Sequence, residues 1–383
     1  MAIGVVAHVI NSIFRNNMMD EEEEITTRFD PAKPHEESAE NQYQMPEALA
    51  EIVADLKQQA ASFSRVEDLR GVFSLCCVWS VILATSALAV WLHHPIGYAI
   101  AFLIFGSSQI ALSVLVHEGA HQRLFSHPRV NAAAADLFLA LPLGIFTSRY
   151  QCEHPSHHSF PNHPERDLHW ALDWGIERDF WQWPKSPLRV ATLFLRDMLF
   201  LNIRQNSLTF RRYCAFNPRE KLSRAEAIRV LAFVSVVGLV LVEVESARLL
   251  IVLWAACMPT LMFALLRFRT IAEHIAIPGK SGWHAVRHIR APLIERLLFA
   301  PFNINNHIAH HLFPRVPYYN LPKLQTLIEA HPQFKEFDGC VKQSYLGLKS
   351  GVLGELIGLT AEEATATRSL RVTRARASGS PVS

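Results

Sequence analysis

Long uncharged apolar runs joined by a short polar link mark the first membrane-like part of the chain. One run covers residues 75–92 (18 residues) and the next covers 96–116 (21 residues). A helix needs about 20 apolar residues to cross the hydrocarbon core of a bilayer, so both runs predict membrane spans. The link His93-His94-Pro95 is too short for anything but a tight turn, so the pair predicts a helical hairpin.

A second pair of apolar runs lies much later in the chain. Residues 230–242 give 13 uncharged positions, and residues 249–266 give 18 with Pro259 inside. The shorter run is below the usual spanning length, but the flanking Arg229 and Glu243 can extend it by reaching towards the interface. Only residues 243–248 separate the two runs, which predicts a second hairpin.

Two further segments predict helical elements outside the spans. Residues 48–69 alternate aliphatic and charged positions at helical spacing and predict one continuous helix. Residues 132–146 are apolar but too short to span, and they contain Asp136, Pro142 and Gly144. We expect a re-entrant or interfacial segment there.

Four tryptophans precede another apolar stretch, residues 191–203, which charged residues interrupt. Tryptophan enrichment beside a broken apolar stretch is typical of the membrane interface. An ordinary aromatic core in a soluble cap is the alternative. The tryptophans are Trp170, Trp174, Trp181 and Trp183.

The basic residues indicate the orientation of the predicted spans. Two hairpins place both termini on the same side as residues 117–229 and 267–383, which are rich in Arg and Lys, whereas the hairpin tips carry only Arg248. Because basic segments stay in the cytosol, we expect that side to be cytosolic. The predicted fold is an all-α integral membrane protein with four transmembrane helices in two hairpins and a cytosolic helical cap.

This fold predicts three regions along the chain. Residues 1–69 are expected to form a cytosolic N-terminal region, and residues 70–330 the membrane domain. Residues 331–383 are expected to form a cytosolic C-terminal region with a disordered basic tail.

Composition agrees with a membrane protein that has a large polar part. Half of the residues are hydrophobic, 19% are charged, and the mean hydropathy is +0.13. A formal net charge of +2 predicts no nucleic-acid partner. The six cysteines show no Cys-x-x-Cys spacing, so we expect no disulfide framework and a reducing cytosolic face.

Histidine is the residue type that indicates chemistry. Two stretches share the pattern His-x-x-His-His, and a third has His-x-x-x-His. Residues i, i+3 and i+4 share one face of a helix, so each stretch is expected to aim its imidazoles at one point. Eight imidazoles exceed what one four-coordinate metal takes, which predicts a two-metal site; three unrelated surface clusters are the alternative. The eight are His117, His121, His154, His157, His158, His307, His310 and His311.

The ligand type restricts the metal and predicts a role for nearby acids. Neutral imidazoles suit iron, zinc, copper and nickel better than magnesium or calcium. Acids are expected to orient the histidines through their free ring N–H groups and to offset the positive charge. Four carboxylates are candidates for this role, and each could instead face water: Glu118, Glu153, Asp167 and Glu273.

The ordered histidine clusters resemble the histidine boxes of the membrane fatty acid desaturases and hydroxylases. The sequence HHLFPRVPYYNLP that begins at His310 is similar to that family's sequence after its last box. The resemblance covers about residues 70–330. It implies a non-haem centre of two iron ions that uses O2 as co-substrate and takes hydrogen from an unactivated C–H bond.

The resemblance also implies a ninth histidine ligand between the last span and the third box. His274 is the best-placed residue, with His284 and His288 as its rivals. Some members of the family have an asparagine one turn earlier, where this chain has Thr270. His127, His163 and His169 lie outside the repeated spacing and are expected to be exposed loop histidines.

The implied function is a membrane-bound oxidoreductase that desaturates a fatty acyl chain or a related aliphatic substrate. The acyl group could be carried by a lipid, coenzyme A or a carrier protein, and hydroxylation by the same boxes is the alternative. The sequence contains no His-Pro-Gly-Gly haem motif, so we expect a separate electron donor, a ferredoxin or a small haem protein. We expect a multi-pass protein of a bacterial inner membrane, with the site and both termini in the cytosol.

Two other protein classes compete with this interpretation. The sequence His117-Glu118-Gly-Ala-His121 matches the zinc-binding pattern of a membrane metalloprotease, which would leave six box histidines without a role. A metal transporter would need ionisable residues inside the spans, and the predicted spans have none beyond their ends.

Overall fold

The fold is described from a computed structural model, which describes residues 44–163, 166–167, 183–215, 221–274 and 282–359, apart from the side chains of Leu208 and Thr209. Most of these residues are helical. The one sheet among them has two strands of two residues each. The protein is therefore largely helical, as the sequence predicts.

The elements are numbered in chain order. The α-helices are α1 (Glu47–Phe63), α2 (Asp68–Leu92), α3 (Pro95–Ala120), α4 (Pro128–Ala135), α5 (Thr147–Ser159), α6 (Pro187–Met198), α7 (Ile203–Tyr213), α8 (Arg224–Glu243), α9 (Glu245–Cys257), α10 (Phe263–His274), α11 (Leu293–Phe299), α12 (His307–Leu312), α13 (Leu321–Ala330) and α14 (Val352–Leu356). The strands β1 (His288–Ile289) and β2 (Val341–Lys342) pair in parallel. Short π- and 3-10-helical turns are Asp136–Ala140, Leu141–Leu143, Met258–Met262, Gly282–Ala285 and Pro332–Cys340.

Four helices among the described residues are long and apolar enough to cross a membrane: Asp68–Leu92, Pro95–Ala120, Arg224–Glu243 and Glu245–His274. Each contains one predicted apolar run and extends beyond it at one or both ends. The 13-residue run lies in a helix of 20 residues because Ser223 and Glu226 form a capping box that starts the helix well before the apolar residues.

The predicted helix 48–69 is wrong at its C-terminal end, because α1 stops at Phe63 and α2 begins at Asp68. Tyr319 explains the interruption. Its hydroxyl accepts a hydrogen bond from the Glu67 backbone N–H at 2.7 Å and donates one to the Arg65 carbonyl at 3.1 Å. The hydroxyl gives the Glu67 N–H and the Arg65 carbonyl the hydrogen bonds that a continuous helix would otherwise supply, and the chain turns before the first span.

The fourth span is longer than its apolar run. Helices α9 and α10 and the π-helical turn between them form 30 continuous residues from Glu245 to His274. Pro259 lies in that turn, where Thr260 Oγ1 donates a hydrogen bond to the Ala256 carbonyl at 2.7 Å. Proline lacks the N–H that would form the regular helical hydrogen bond. The local π-helical turn lets the helix continue past it.

Helix α3 is the most buried of the four spans, and α8 is the least. Helix α3 contacts α2, α4, α5, α9 and α11. A Cβ on Gly119 would lie 2.6 Å from the Cβ of Ala135, so glycine is what lets α4 approach the end of α3. No residue of α8 is buried, and its exposed side chains include Leu231 and Val236, which suits contact with lipid.

The segments predicted to be interfacial form short helices. Residues 132–146 lie in α4 and the two turns after it, which pack against α3, and Gly144 ends them with φ +71°. Residues 191–203 lie mostly in α6, which contacts α10. Trp183 is half-buried, whereas Trp170, Trp174 and Trp181 lie outside the described residues.

Parts of both predicted terminal regions pack with the spans in one compact unit. Helix α1 contacts α13 and the turn Pro332–Cys340. Residues 1–43 and the basic tail at 360–383 lie outside the described residues.

Candidate metal centre

Four helices bring the predicted histidines together. His117 lies in the last turn of α3 and His121 directly after it, while α5 carries the second box and α12 the third. His274 is the last residue of α10 and so of the 30-residue span. Helix α3 contacts both α5 and α10, which places these three sources of imidazoles side by side.

Five imidazoles form the first group, called here the five-histidine group. Their Nε2 atoms converge: His154 Nε2 lies 2.9 Å from Nε2 of both His121 and His158, and His310 Nε2 lies 3.1 Å from that of His158. One ring nitrogen from each member lies within 4.8 Å of the others. The members are His117, His121, His154, His158 and His310.

Four imidazoles form the second group, called the four-histidine group. His307 Nε2 lies 2.6 Å from Nε2 of His274 and 3.2 Å from that of His311. The His157 ring centroid lies 4.6 Å from that of His274. All four residues are buried, and their candidate ligand atoms also lie within 4.8 Å of one another.

The two groups adjoin because each His-x-x-His-His box contributes to both. His154 and His158 face the first group, whereas His157 between them faces the second. The third box contributes His310 to the first group, and His307 and His311 to the second. This differs from the expectation that each box aims at one point. Positions i+3 and i+4 lie about 100° apart around a helix axis, so they can turn towards different centres.

Burial favours the neutral form of several imidazoles outside the spans. Burial lowers the pKa of His121 to about 4, with nearby Arg123 as the next cause. Burial also lowers the pKa values of His158, His310 and His311, and neighbouring histidines add to the effect. Neutral rings keep a free lone pair, which is the form that binds a transition metal.

Two of the four candidate carboxylates lie behind histidines of the four-histidine group. Asp167 is fully buried, and its Oδ2 lies 2.9 Å from His157 Nδ1. Glu273 Oε2 lies 3.7 Å from His307 Nδ1. A carboxylate hydrogen-bonded to the far side of a ligand ring, as Asp167 is to His157, fixes the tautomer and orientation of that ring, whereas Glu273 acts on His307 through its charge.

The other two candidate carboxylates have different partners. Glu118 Oε2 accepts the Tyr318 backbone N–H at 3.2 Å, and its Oε1 lies 3.8 Å from His117 Nδ1, beyond hydrogen-bonding distance. Glu153 pairs with Arg212 at 2.7 Å.

The remaining histidines near this region lie outside both groups. The expectation that His163 is exposed is wrong: it is buried, and its Nδ1 accepts the Arg166 backbone N–H at 3.1 Å. His127 is exposed as expected, whereas His169 lies outside the described residues. His284 is half-buried and stacks on Phe337 at 4.9 Å between ring centroids. His288 is buried, and its Nδ1 donates to the Asn305 carbonyl at 2.9 Å.

The half-buried Arg269 and the buried Tyr345 beside the site escaped prediction from the sequence. Arg269 Nε lies 2.9 Å from Glu273 Oε2, and the Tyr345 hydroxyl donates to Glu273 Oε1 at 2.8 Å. Arg269 is recognisable from its i,i+4 spacing to Glu273, which is a common helical ion pair. Tyr345 has no such signal because 72 residues separate it from its partner.

The donor set fits two transition metals. Both groups offer only imidazole nitrogens, a set that suits iron, zinc, copper or nickel and disfavours magnesium and calcium. A metalloprotease site would use His117 and His121 with an acid ligand and an open position. Here three more imidazoles surround these two residues.

The fold and the site define a class: an integral membrane protein with adjoining histidine groups that could hold metal at one end of its spans. Comparison with known proteins gives the family. The model of the fatty acid desaturase family matches residues 89–338, and the chain belongs to that family.

Two curated relatives are similar to most of the chain. One is the dihydrorhizobitoxine desaturase of Bradyrhizobium elkanii, 23% identical over 288 residues that cover 70% of this chain and 78% of the relative. The other is the chloroplastic omega-3 fatty acid desaturase of Brassica napus, 23% identical over 333 residues that cover 79% of this chain and 74% of the relative. The family is that of oxidoreductases acting on acyl lipids in membranes.

Proposed function

We propose that this protein is an O2-dependent di-iron oxidoreductase that desaturates a fatty acyl chain or a related aliphatic substrate. The observation that carries the proposal is the convergence of nine buried or half-buried imidazoles into two adjoining groups at the end of two apolar helices. When bound there, two iron ions would supply the activation of O2 and the abstraction of hydrogen.

The residues of this chain have three tasks in that reaction. The five- and four-histidine groups would hold the metals, Asp167 orients the His157 ring by a hydrogen bond, and the Glu273 carboxylate offsets positive charge near His307. His117 ends a span, so an acyl chain held among apolar side chains would reach the site without leaving an apolar environment. Fixing one carbon near the metals decides which C–H bond reacts.

The reaction needs electrons that the substrate alone does not supply. Removal of two hydrogens from adjacent carbons and reduction of O2 to two waters require two more electrons and two protons. A separate ferredoxin or small haem protein is the proposed donor, because the sequence contains no haem or dinucleotide motif. We place the site in the cytosol of a bacterial cell, where such donors are found.

Desaturation is preferred to hydroxylation because both curated relatives are desaturases by name. Their names point to different substrates, a fatty acid and dihydrorhizobitoxine, so this chain could act on an acyl chain carried by a lipid, coenzyme A or a protein, or on a smaller metabolite. Mass spectrometry of lipids and metabolites from a host with and without the protein tests this. A new alkene that depends on His157 supports desaturation, and a new alcohol would contradict it.

Metal analysis tests the centre itself. The purified protein should contain about two iron ions per chain, and His274→Ala should lower this towards one by opening the four-histidine group. His284→Ala is the matched control, because His284 lies outside both groups and should leave the iron content unchanged. One zinc per chain would instead favour the metalloprotease, and full iron in His274→Ala would remove His274 from the ligands.

A further inference from the structure

The segment 341–359 follows the part of the chain that the family model matches, which ends at residue 338. It carries two buried polar side chains that reach towards the metal centre. Tyr345 is fully buried, and Glu355 is 7% exposed. Buried polar groups of this kind are costly unless they have partners, so their partners indicate what the segment holds in place.

Tyr345 makes the first link. Its hydroxyl donates to Glu273 Oε1 at 2.8 Å, while Arg269 Nε donates to both oxygens of the same carboxylate at 3.1 and 2.9 Å. Glu273 Oε2 lies 3.7 Å from Nδ1 of His307. Burial raises the pKa of Tyr345 well above its usual value, so the phenol keeps the proton that it donates. The link runs by a hydrogen bond from Tyr345 to Glu273, and from Glu273 to the ring of His307 by the charge of a carboxylate 3.7 Å away.

Glu355 makes the second link. Arg287 is fully buried and donates to Glu355 Oε2 at 2.7 Å. The same guanidinium donates to the carbonyls of Ile271 at 3.4 Å and Ala272 at 3.0 Å. These carbonyls belong to the last turn of α10, where the helix itself offers no N–H group to bond them. Glu355 thus holds, through Arg287, the turn that ends in His274.

The segment is itself anchored to α11. The backbone N–H of Tyr345 and the hydroxyl of Ser344 each donate to the Glu295 carboxylate at 2.7 Å. Lys342 also forms an ion pair with Glu355. Both described links therefore start from a fixed position and lead to the four-histidine group.

We propose that the segment 341–359 positions the four-histidine group, with Tyr345 holding Glu273 behind His307 and Glu355 holding the turn of His274. The inference rests on the proposed function, because it assumes that this group binds a metal. Tyr345 and Glu355 are positioning residues, since neither touches a metal ligand. Losing either should weaken metal binding at this group and leave the five-histidine group unaffected.

Cobalt(II) titration of the metal-free full-length protein in detergent tests the proposal, with the cobalt absorption bands as the readout. Wild type should bind two cobalt ions per chain. Tyr345→Phe removes one hydroxyl and should weaken one of the two binding steps about threefold to tenfold, somewhat less than loss of a direct partner of a ligand. Glu355→Gln should weaken the same step and change the same bands.

Tyr319→Phe is the matched control, because it also removes a tyrosine hydroxyl. That hydroxyl makes its two hydrogen bonds with the backbone of Glu67 and Arg65. It should leave both binding steps unchanged. If Tyr345 acts through Glu273, then Glu273→Gln and the double variant Glu273→Gln/Tyr345→Phe should bind cobalt alike.

The outcomes separate this inference from the proposed function. Wild type that binds fewer than two cobalt ions would overturn the proposed function and the inference with it. Wild type that binds two, with both steps unchanged in Tyr345→Phe, overturns the inference alone. Equal weakening of both steps in Tyr345→Phe also overturns it, because that would mean general destabilisation.

Discussion

At the scale of single residues, two acids close to the second histidine box have opposite surroundings. Asp167 is fully buried and accepts hydrogen bonds at 2.9 Å from His157 Nδ1 and from the Asn162 backbone N–H. Glu153 belongs to the box helix itself but forms an ion pair with Arg212. Sequence proximity to a histidine therefore does not decide which acid serves a ligand.

Replacing Asp167 by Asn should weaken metal binding and activity about 10- to 100-fold, because the amide no longer offers a charged acceptor to His157. Iron per chain and turnover measure the effect. Glu153→Gln is the control and should stay within about twofold of wild type. Equal losses in the two variants would show that Asp167 has no special role at His157.

The histidine spacing predicted eight members of the two groups, and the resemblance to the family supplied the ninth, His274. The spacing of histidines within one short helix can be read from the sequence, so the members of one box could be recognised. Their division between two centres could not, because positions such as His157 and His158 differ only in direction around the helix. The role of Tyr345 could not be predicted either, because its partner Glu273 lies 72 residues away in the sequence.

At the scale of elements, the apolar runs predicted the spans but not their ends. The fourth run stops at Leu266 because Arg267 follows, yet the helix continues to His274. Arg267 is buried there and donates to Asp197 of α6 at 2.6 and 3.0 Å. A partner 70 residues away makes the charge acceptable, and no local pattern reveals it.

This buried pair gives a prediction for stability. Asp197→Ala leaves the Arg267 guanidinium without its carboxylate and should lower the free energy of unfolding by about 3–5 kcal/mol. The double variant Asp197→Leu/Arg267→Met should recover most of the loss, because no charge stays buried. Thermal unfolding in detergent measures both.

The control is the exposed pair of Glu67 and Arg70, whose side chains are 52% and 57% exposed. Glu67→Gln should cost less than about 1 kcal/mol, as surface ion pairs usually do. A double variant no more stable than Asp197→Ala would mean that the cost lies in packing and not in the uncompensated charge.

At the scale of the whole molecule, the direction of two helices relates the site to the membrane. Helix α3 begins at Pro95 and carries His117 in its last turn, and the longest span begins at Glu245 and ends at His274. Both helices therefore lead from a short connection to the candidate metal centre. If both cross the membrane, the two connections lie on the face opposite to the site.

The last prediction is the orientation of this arrangement. At the two hairpin tips, residues 93–94 and 243–248, only Arg248 is basic, so the positive-inside rule predicts that the tips lie outside the cytosol and the site within it. A tag at either terminus should be accessible to antibody or protease only from the cytosolic face. A tag inserted at Ser246 should be accessible only from the opposite face, and iron content should confirm that each tagged protein has folded. Cytosolic access to the tag at Ser246 would contradict the arrangement in two hairpins and would separate the site from its proposed cytosolic electron donor.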